Sequence, residues 1–139
     1  MENKVALIVG GTGSIGAATA VAFARLGTKV IIAGRNNSAA ESVLERIAEA
    51  GSEGRFIQTD LTDPASVDKL ANKAVNTYGT IDIAFNNAGW EGVPAKTADI
   101  EEADWQRMLD IKLTGLWRCM KFELKQMLVQ GNGSIVNMS

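Results

Sequence analysis

The sequence predicts an α/β protein: a doubly wound parallel sheet in three layers, with helices on both faces. Two observations point there. Apolar runs at Val5–Val9 and Lys29–Ala33 are continuous rather than alternating, as in parallel strands covered on both sides. Each such run is followed by a segment whose apolar residues recur at helical spacing, so strand and helix alternate along the chain. A third observation bears on function. The first strand breaks into Gly10-Gly11-Thr12-Gly13-Ser14-Ile15-Gly16, a glycine-dense turn leading directly into a helix. Glycines at 10, 13 and 16 let the backbone turn sharply, approach a ligand closely and pack the helix on the strand it has left. Such a turn presents free amide N–H groups at a helix N-terminus, where a phosphate prefers to bind. By itself the pattern fits a plain strand-to-helix turn equally well.

The first helix begins at Ser14, with Ile15, Ala18, Thr19, Ala22, Phe23 and Leu26 at helical spacing and Gly27 at its stop. Lys29–Ala33 is the second strand, ending at Gly34-Arg35-Asn36. Ser38 and Glu41 have capping-box spacing, and Val43, Leu44, Ile47 and Ala48 give the second helix an apolar face ending near Gly51. Arg55–Thr59 is a shorter third strand, closed by Asp60-Leu61. Asp63 and Pro64 make an N-cap and first-turn pair for a third helix carrying Val67, Leu70, Ala71, Ala74 and Val75, which stops by Gly79. Ile81–Phe85 is the fourth strand and runs into Asn86-Asn87-Ala88-Gly89. From Ile100 a long helix is expected, with Trp105, Leu109, Leu113, Leu116, Trp117, Met120, Leu124, Met127 and Leu128 on a broad apolar stripe. Trp117, Met120, Leu124 and Met127 are expected mostly in the core, with part of that face left to pair with a second subunit. Ser134–Met138 is the fifth strand.

A sheet of this kind binds ligands at the carboxyl ends of its strands, beside the point where strand order reverses. The loops after strands one to four, Gly10 to Gly16, Gly34-Arg35, Asp60-Leu61 and Asn86 to Gly89, therefore converge on one edge. That convergence favours a ligand cradle over a plain turn. Arg35 bears on the ligand. A carboxylate at the end of the second strand would bond a ribose 2′-hydroxyl, whereas Gly34 stands there and Arg35 follows with a rigid donor fork suited to a 2′-phosphate. The alternative is that Arg35 only stacks over an adenine.

Composition narrows the classes further. The chain has 139 residues, enough for one domain with a single core, and a net charge of −2 that provides no footprint for nucleic acid or an acidic membrane. It contains no histidine and one cysteine, Cys119, so it can build neither an internal disulfide nor a His-ligated metal site nor a Ser-His pair. Cys119 reads as a buried or interfacial, inert thiol. No secretory h-region precedes the glycine turn and no apolar run reaches membrane-spanning length, so a cytoplasmic setting is expected.

With these residues in place, the sequence resembles the short-chain dehydrogenase/reductase family over its whole length. The resemblance rests on V-G-G-T-G-S-I-G at 9 to 16, D-L at 60 and 61, N-N-A-G at 86 to 89, L-T-G at 113 to 115 and G-S-I-V-N-M-S at 133 to 139. It implies a Rossmann-type fold, here with five of the usual seven strands. It also implies a nicotinamide dinucleotide at the sheet edge, NADP(H) in preference to NAD(H) on the strength of Arg35, and hydride transfer to or from a secondary alcohol or ketone. The cofactor-binding positions it implies are Gly10, Thr12, Gly13, Ser14, Ile15, Gly16, Arg35, Asp60, Leu61, Asn87, Ala88 and Gly89. Val9 and Ser14 depart from the family's commonest glycine loop, and Gly13 restores the spacing of its extended branch.

For catalysis the resemblance implies Ser139, matching the first of two serines at the end of strand five, and the helix position held by Lys112 in D-I-K-L-T-G, where the family carries an asparagine. A lysine cannot accept a hydrogen bond, which puts the family's water relay in doubt. The family's general acid is a tyrosine followed four residues later by a lysine. The only tyrosine here, Tyr78, is followed by Asp82 and belongs at the opposite rim. Residues 1–139 are thus expected to form a single dinucleotide-binding domain, truncated before the substrate and catalytic part, with a homodimer or homotetramer implied for the full-length form. The alternatives are a non-catalytic dinucleotide-binding or interaction module, and a truncated product that binds nothing well.

Overall fold

The computed structural model describes residues 1 to 139. Five parallel strands form one sheet in the order β3-β2-β1-β4-β5, from β1 (Val5–Val9), β2 (Lys29–Gly34), β3 (Gly54–Gln58), β4 (Ile83–Asn86) and β5 (Ser134–Asn137). Between them run α1 (Ser14–Arg25), α2 (Asn37–Glu49), α3 (Pro64–Tyr78), α4 (Glu102–Leu109) and α5 (Leu116–Gln130). Strand order reverses at β1, whose neighbours are β2 on one side and β4 on the other.

All five residues of β1 are buried, as a continuous apolar run requires, and they alternate between two cores. Val5, Leu7 and Val9 join Val67, Leu70 and Ala74 of α3 and Cys119 and Met127 of α5. Ala6 and Ile8 join Ala17, Ala20, Val21 and Ala24 of α1 and Ala40, Val43 and Ile47 of α2. One sheet between two helical layers is the three-layer architecture that the alternation predicts.

Local chemistry ends the helices much as expected, with one change. The Asp63 carboxylate accepts from the Ala65 amide at 3.0 Å and Pro64 follows it, while Gly79 closes α3 in the left-handed region at φ 79°. α2, however, is capped by Asn36 and not through the Ser38–Glu41 box. The Asn36 side chain accepts from the Ala39 amide at 3.0 Å and from the Ser38 hydroxyl. Asparagine and serine are comparable caps, so the one standing where the backbone leaves β2 takes the position.

The long helix also differs from expectation. Between α4 and α5 the chain widens into a π-type turn over Asp110–Gly115, a feature that inserts an extra residue into the helical ladder and rotates everything after it. The face of α5 turned inward is Cys119, Glu123 and Met127. Leu124 and Trp117 are 46% and 57% exposed, Met120 is half-buried, and of the four residues expected mostly in the core only Met127 is buried. The apolar stripe is broader than the single face that a helix can press on a sheet, so its outer part stays uncovered.

Candidate functional site

The site starts from a tight strand-to-helix turn at the reversal point. The Gly10 and Gly11 amides both donate to the Ala33 carbonyl, at 2.8 and 3.1 Å, which ties the turn to the end of β2. Gly10 has φ 79°, in the region glycine favours, and a side chain there would lie 2.6 Å from the Ala88 nitrogen. A side chain on Gly16 would run into the Gly10 carbonyl. The two glycines therefore let three backbones meet: the turn, the first turn of α1 and the Asn87-Ala88 segment. α1 opens after Gly13, which has no side chain to cap it, so the amides of Ser14, Ile15 and Gly16 keep free N–H donors.

A cavity of about 290 Å³ lies over this junction. Its walls come from the ends of four of the five strands: Gly10, Thr12 and Gly13 after β1, Arg35 after β2, Asp60 and Leu61 after β3, and Asn87, Ala88 and Gly89 after β4. Ser14, Ile15 and Gly16, at the start of α1, do not line it. Val9 and Gly34 also line it, and Ala33, Thr59 and Ile111 complete the lining without having been singled out in the sequence. Apolar strand-end residues carry no signal of their own, and only the fold brings them to the cavity.

Asp60 does two things at once. Its Oδ1 accepts from the Thr62 amide at 2.9 Å and the Thr62 hydroxyl at 2.7 Å, and its amide donates to the Ser66 hydroxyl. It is thus the turn-former its neighbours suggest, and it also presents a carboxylate at the cavity wall. The Thr62 hydrogen bonds hold that carboxyl below the usual range, with Arg35 and Arg107 adding to the effect. Arg35 is exposed at the rim, anchored by its carbonyl, which accepts from Gln58 Nε2 at 3.3 Å. A side chain at Gly34 would lie 2.7 Å from Thr12 Oγ1, so the threonine occupies the space that an acidic side chain would need.

The π-type turn places Ile111 in the cavity wall and Lys112 beside Gly89. A side chain on Gly89 would meet Lys112 Cε at 3.1 Å, so the lysine stem crosses directly over that glycine. Gly115 ends the turn where a side chain would fall 2.8 Å from Leu61 Cβ, which packs the D-I-K-L-T-G segment onto the loop after β3. Ser139 follows β5. The Met138 amide donates to the Asn86 carbonyl at 2.9 Å, so Ser139 emerges beside the Asn87–Gly89 loop. Tyr78 ends α3 at the other rim of the sheet. Burial raises its hydroxyl, and Asp82, four residues on, is engaged by Lys4 at 3.0 Å and by the Val5 amide at 2.9 Å.

Two further features are Trp90, which the sequence places either at the border of the nicotinamide or substrate or packed down locally, and Glu123, which the sequence reading does not single out. Trp90, after Asn86-Asn87-Ala88-Gly89, is half-buried with the Arg107 guanidinium 4.6 Å from its ring centre, as local packing of a loop tryptophan predicts. Glu123 is fully buried on α5. A charged residue three after Met120 and four before Met127, on an otherwise apolar face, was the signal for it.

Fold and site define a doubly wound α/β protein with a cavity over a glycine-built junction at its topological switch point. The chain belongs to the short-chain dehydrogenase family, whose model matches residues 4–139. Among curated relatives, the 3beta-hydroxysteroid dehydrogenase of Mediterraneibacter gnavus is 34% identical over 99% of this chain and 50% of its own length. Among solved structures, NAD+-bound xylitol dehydrogenase superposes with a TM-score of 0.95 at 36% identity, over 98% of this chain and 52% of that one. An actinorhodin polyketide ketoreductase variant with NADPH gives 0.91 at 32% identity, over 99% and 54%. The chain spans about half the length of the curated relatives it matches.

Proposed function

We propose that residues 1–139 form the cofactor side of an oxidoreductase that transfers hydride between a nicotinamide dinucleotide and a secondary alcohol or ketone. The observation that carries this reading is the junction at Gly10, where the glycine turn, α1 and the Asn87-Ala88 segment approach too closely for any side chain and four strand-end loops open onto one cavity. The dinucleotide, when bound, supplies the hydride donor or acceptor at its nicotinamide ring. The chain's own residues bind and orient. The amides of Gly13, Ser14, Ile15 and Gly16, with Thr12, hold the pyrophosphate. Asp60 and Leu61 border the adenine, and Asn87, Ala88 and Gly89 line its ribose. Ser139, the first of the family's two serines at the end of strand five, leads into the position from which the second orients the substrate oxygen. Lys112, over Gly89, donates hydrogen bonds where the family's asparagine accepts one.

NADP(H) is preferred, because Thr12 fills the space an acidic side chain at position 34 would need and Arg35 offers its fork beside it. Solved relatives hold NAD+ in one case and NADPH in another, so the preference rests on these two residues. Arg35→Ala tests it by fluorescence titration with NADPH and NADH. A charged hydrogen bond of about 2 kcal/mol corresponds to a loss of roughly 30-fold for NADPH with little change for NADH. Equal losses for both cofactors would remove the preference.

The substrate is a small alcohol or ketone, the setting is cytoplasmic, and the exposed face of α5 around Trp117 and Leu124 is where copies of the chain pair as a dimer or tetramer. Tyr78 lies at the opposite rim with Asp82 engaged elsewhere, which also favours a second reading: these residues bind the dinucleotide without turning it over. Single-turnover reduction of a ketone by bound NADPH separates the two readings.

A further inference from the structure

Behind the cavity lies a buried polar cluster that the cofactor reading does not use. Asn86, the last residue of β4, is buried, and its Nδ2 donates both hydrogens, one to Glu123 Oε2 of α5 at 2.9 Å and one to Asn137 Oδ1 of β5 at 3.0 Å. Asn137 Nδ2 in turn reaches Met120 Sδ at 3.4 Å, back on α5. Two oxygens in this cluster are buried without a partner, and they belong to the same pair of groups: Asn86 Oδ1 and Glu123 Oε1. Orphaned acceptors in a dry core keep the full penalty of losing their water, and natural cores rarely leave such atoms unpaired. One proton resolves both. A neutral carboxylic acid has an O–H donor to offer, so protonated Oε1 can donate to the Asn86 carbonyl while Oε2 keeps accepting from Nδ2.

We propose that Glu123 is a positioning residue for the cofactor site. As the neutral acid it closes a two-way hydrogen-bonded pair with the Asn86 amide, and through Asn137 that pair locks together the ends of β4 and β5, from which the Asn87–Gly89 loop and Ser139 emerge. The location agrees with the chemistry. Glu123 is fully buried at the level of the sheet edge, with Asn86 facing it from β4 and Cys119 one turn away on its own helix, and no cation pairs with it. Burial pushes its carboxyl up to about 7, against which the Asn86 hydrogen bond acts only in part. The Cys119 thiol is itself pushed up to about 12 by burial, so it stays neutral throughout the range in which Glu123 titrates. Ionising Glu123 would leave a buried charge and both acceptors without a donor, and the strand ends would shift to relieve them.

This inference rests on the dinucleotide reading, and its test separates the two. NADPH and NADH affinities are measured by fluorescence titration for the full-length protein and for its Glu123→Gln and Glu123→Leu variants, at about pH 6 and about pH 8.5, on either side of the Glu123 titration. Glutamine carries a permanent donor and acceptor in the same places. It should keep the affinity of the native protein at low pH and lose none of it at high pH, whereas the native protein weakens roughly ten-fold, equivalent to about 1.4 kcal/mol. Leucine should weaken binding at both pH values in protein that still melts cooperatively. Identical pH profiles for the native protein and Glu123→Gln would overturn the role even if Glu123→Leu does not fold, as would a folded Glu123→Leu with native affinity. A native protein that binds neither dinucleotide would refute the cofactor reading itself, and the positioning role with it.

Discussion

The meeting of backbones at Gly10 is the feature on which the cradle depends, and Gly10→Ala probes it directly. Two costs add. The residue sits at φ 79°, where an alanine pays about 1 to 2 kcal/mol for its conformation. Its Cβ would also stand 2.6 Å from the Ala88 nitrogen, 2.7 Å from Ala88 Cα and 2.9 Å from the Asn87 carbonyl carbon. Those are backbone atoms with no rotamer to give way, so overpacking costs a further 1 to 3 kcal/mol or so. The sum, roughly 2 to 5 kcal/mol, is a large part of the total stability of a domain of this size. Relief can come only by pushing the Asn87–Gly89 loop away from the glycine turn, which pulls apart two walls of the cavity. The assay pairs thermal denaturation with dinucleotide titration. The expected result is a marked drop in Tm together with a loss of affinity of about ten-fold or more. Gly51→Ala supplies the control: φ is 86° there too, yet nothing lies within 4 Å of the new Cβ and the cavity is remote, so stability falls by about 1 to 2 kcal/mol and affinity does not change. A folded Gly10→Ala protein with native affinity would refute the view that this contact builds the site.

Glu123 makes the protein's stability depend on pH. Its folded-state carboxyl is raised from 4.5 to about 7, so the folded protein holds the proton more tightly than the unfolded chain does; that contribution is fully present below about 4.5 and is lost as pH rises to about 7. The loss is roughly 3 kcal/mol, read as a falling urea midpoint between those pH values. Glu123→Gln should flatten the fall, and a slope that survives it would assign the effect to another group. Asp63→Ala removes the only side-chain cap of α3 and should cost about 1 kcal/mol in denaturation, with dinucleotide affinity unaffected.

How much of this was legible in the sequence depended on how local the physics was. The Asp63-Pro64 start and Gly79 stop of α3 could be read directly because capping involves neighbours in the chain. The α2 cap was misplaced because Asn36 and Ser38 satisfy the same local chemistry, and the exit direction from β2 decides between them. The π-type turn at Asp110–Gly115 was not legible either: it is a one-residue adjustment that lets Gly115 pass Leu61, a contact between residues far apart in the chain. The stripe on α5 was over-read for a related reason. Periodicity reports which residues share a face, but which face meets the sheet was set by the rotation that the wider turn introduces, and it brought Cys119, Glu123 and Met127 inward.

The sequence by itself determined the doubly wound sheet, the glycine turn and the four loops that carry the candidate site, because burial on both faces, backbone freedom at glycine and strand–helix alternation are all written in residue order. Tertiary structure alone decided that a side chain at Gly10 would strike Ala88, that Thr12 occupies the space beside Gly34, that Lys112 crosses Gly89, and that Asn86 reaches both Glu123 and Asn137. Each of these is a distance between residues far apart in the chain. Such distances are fixed only when the helices settle on the sheet and close packing leaves each atom a single place to be.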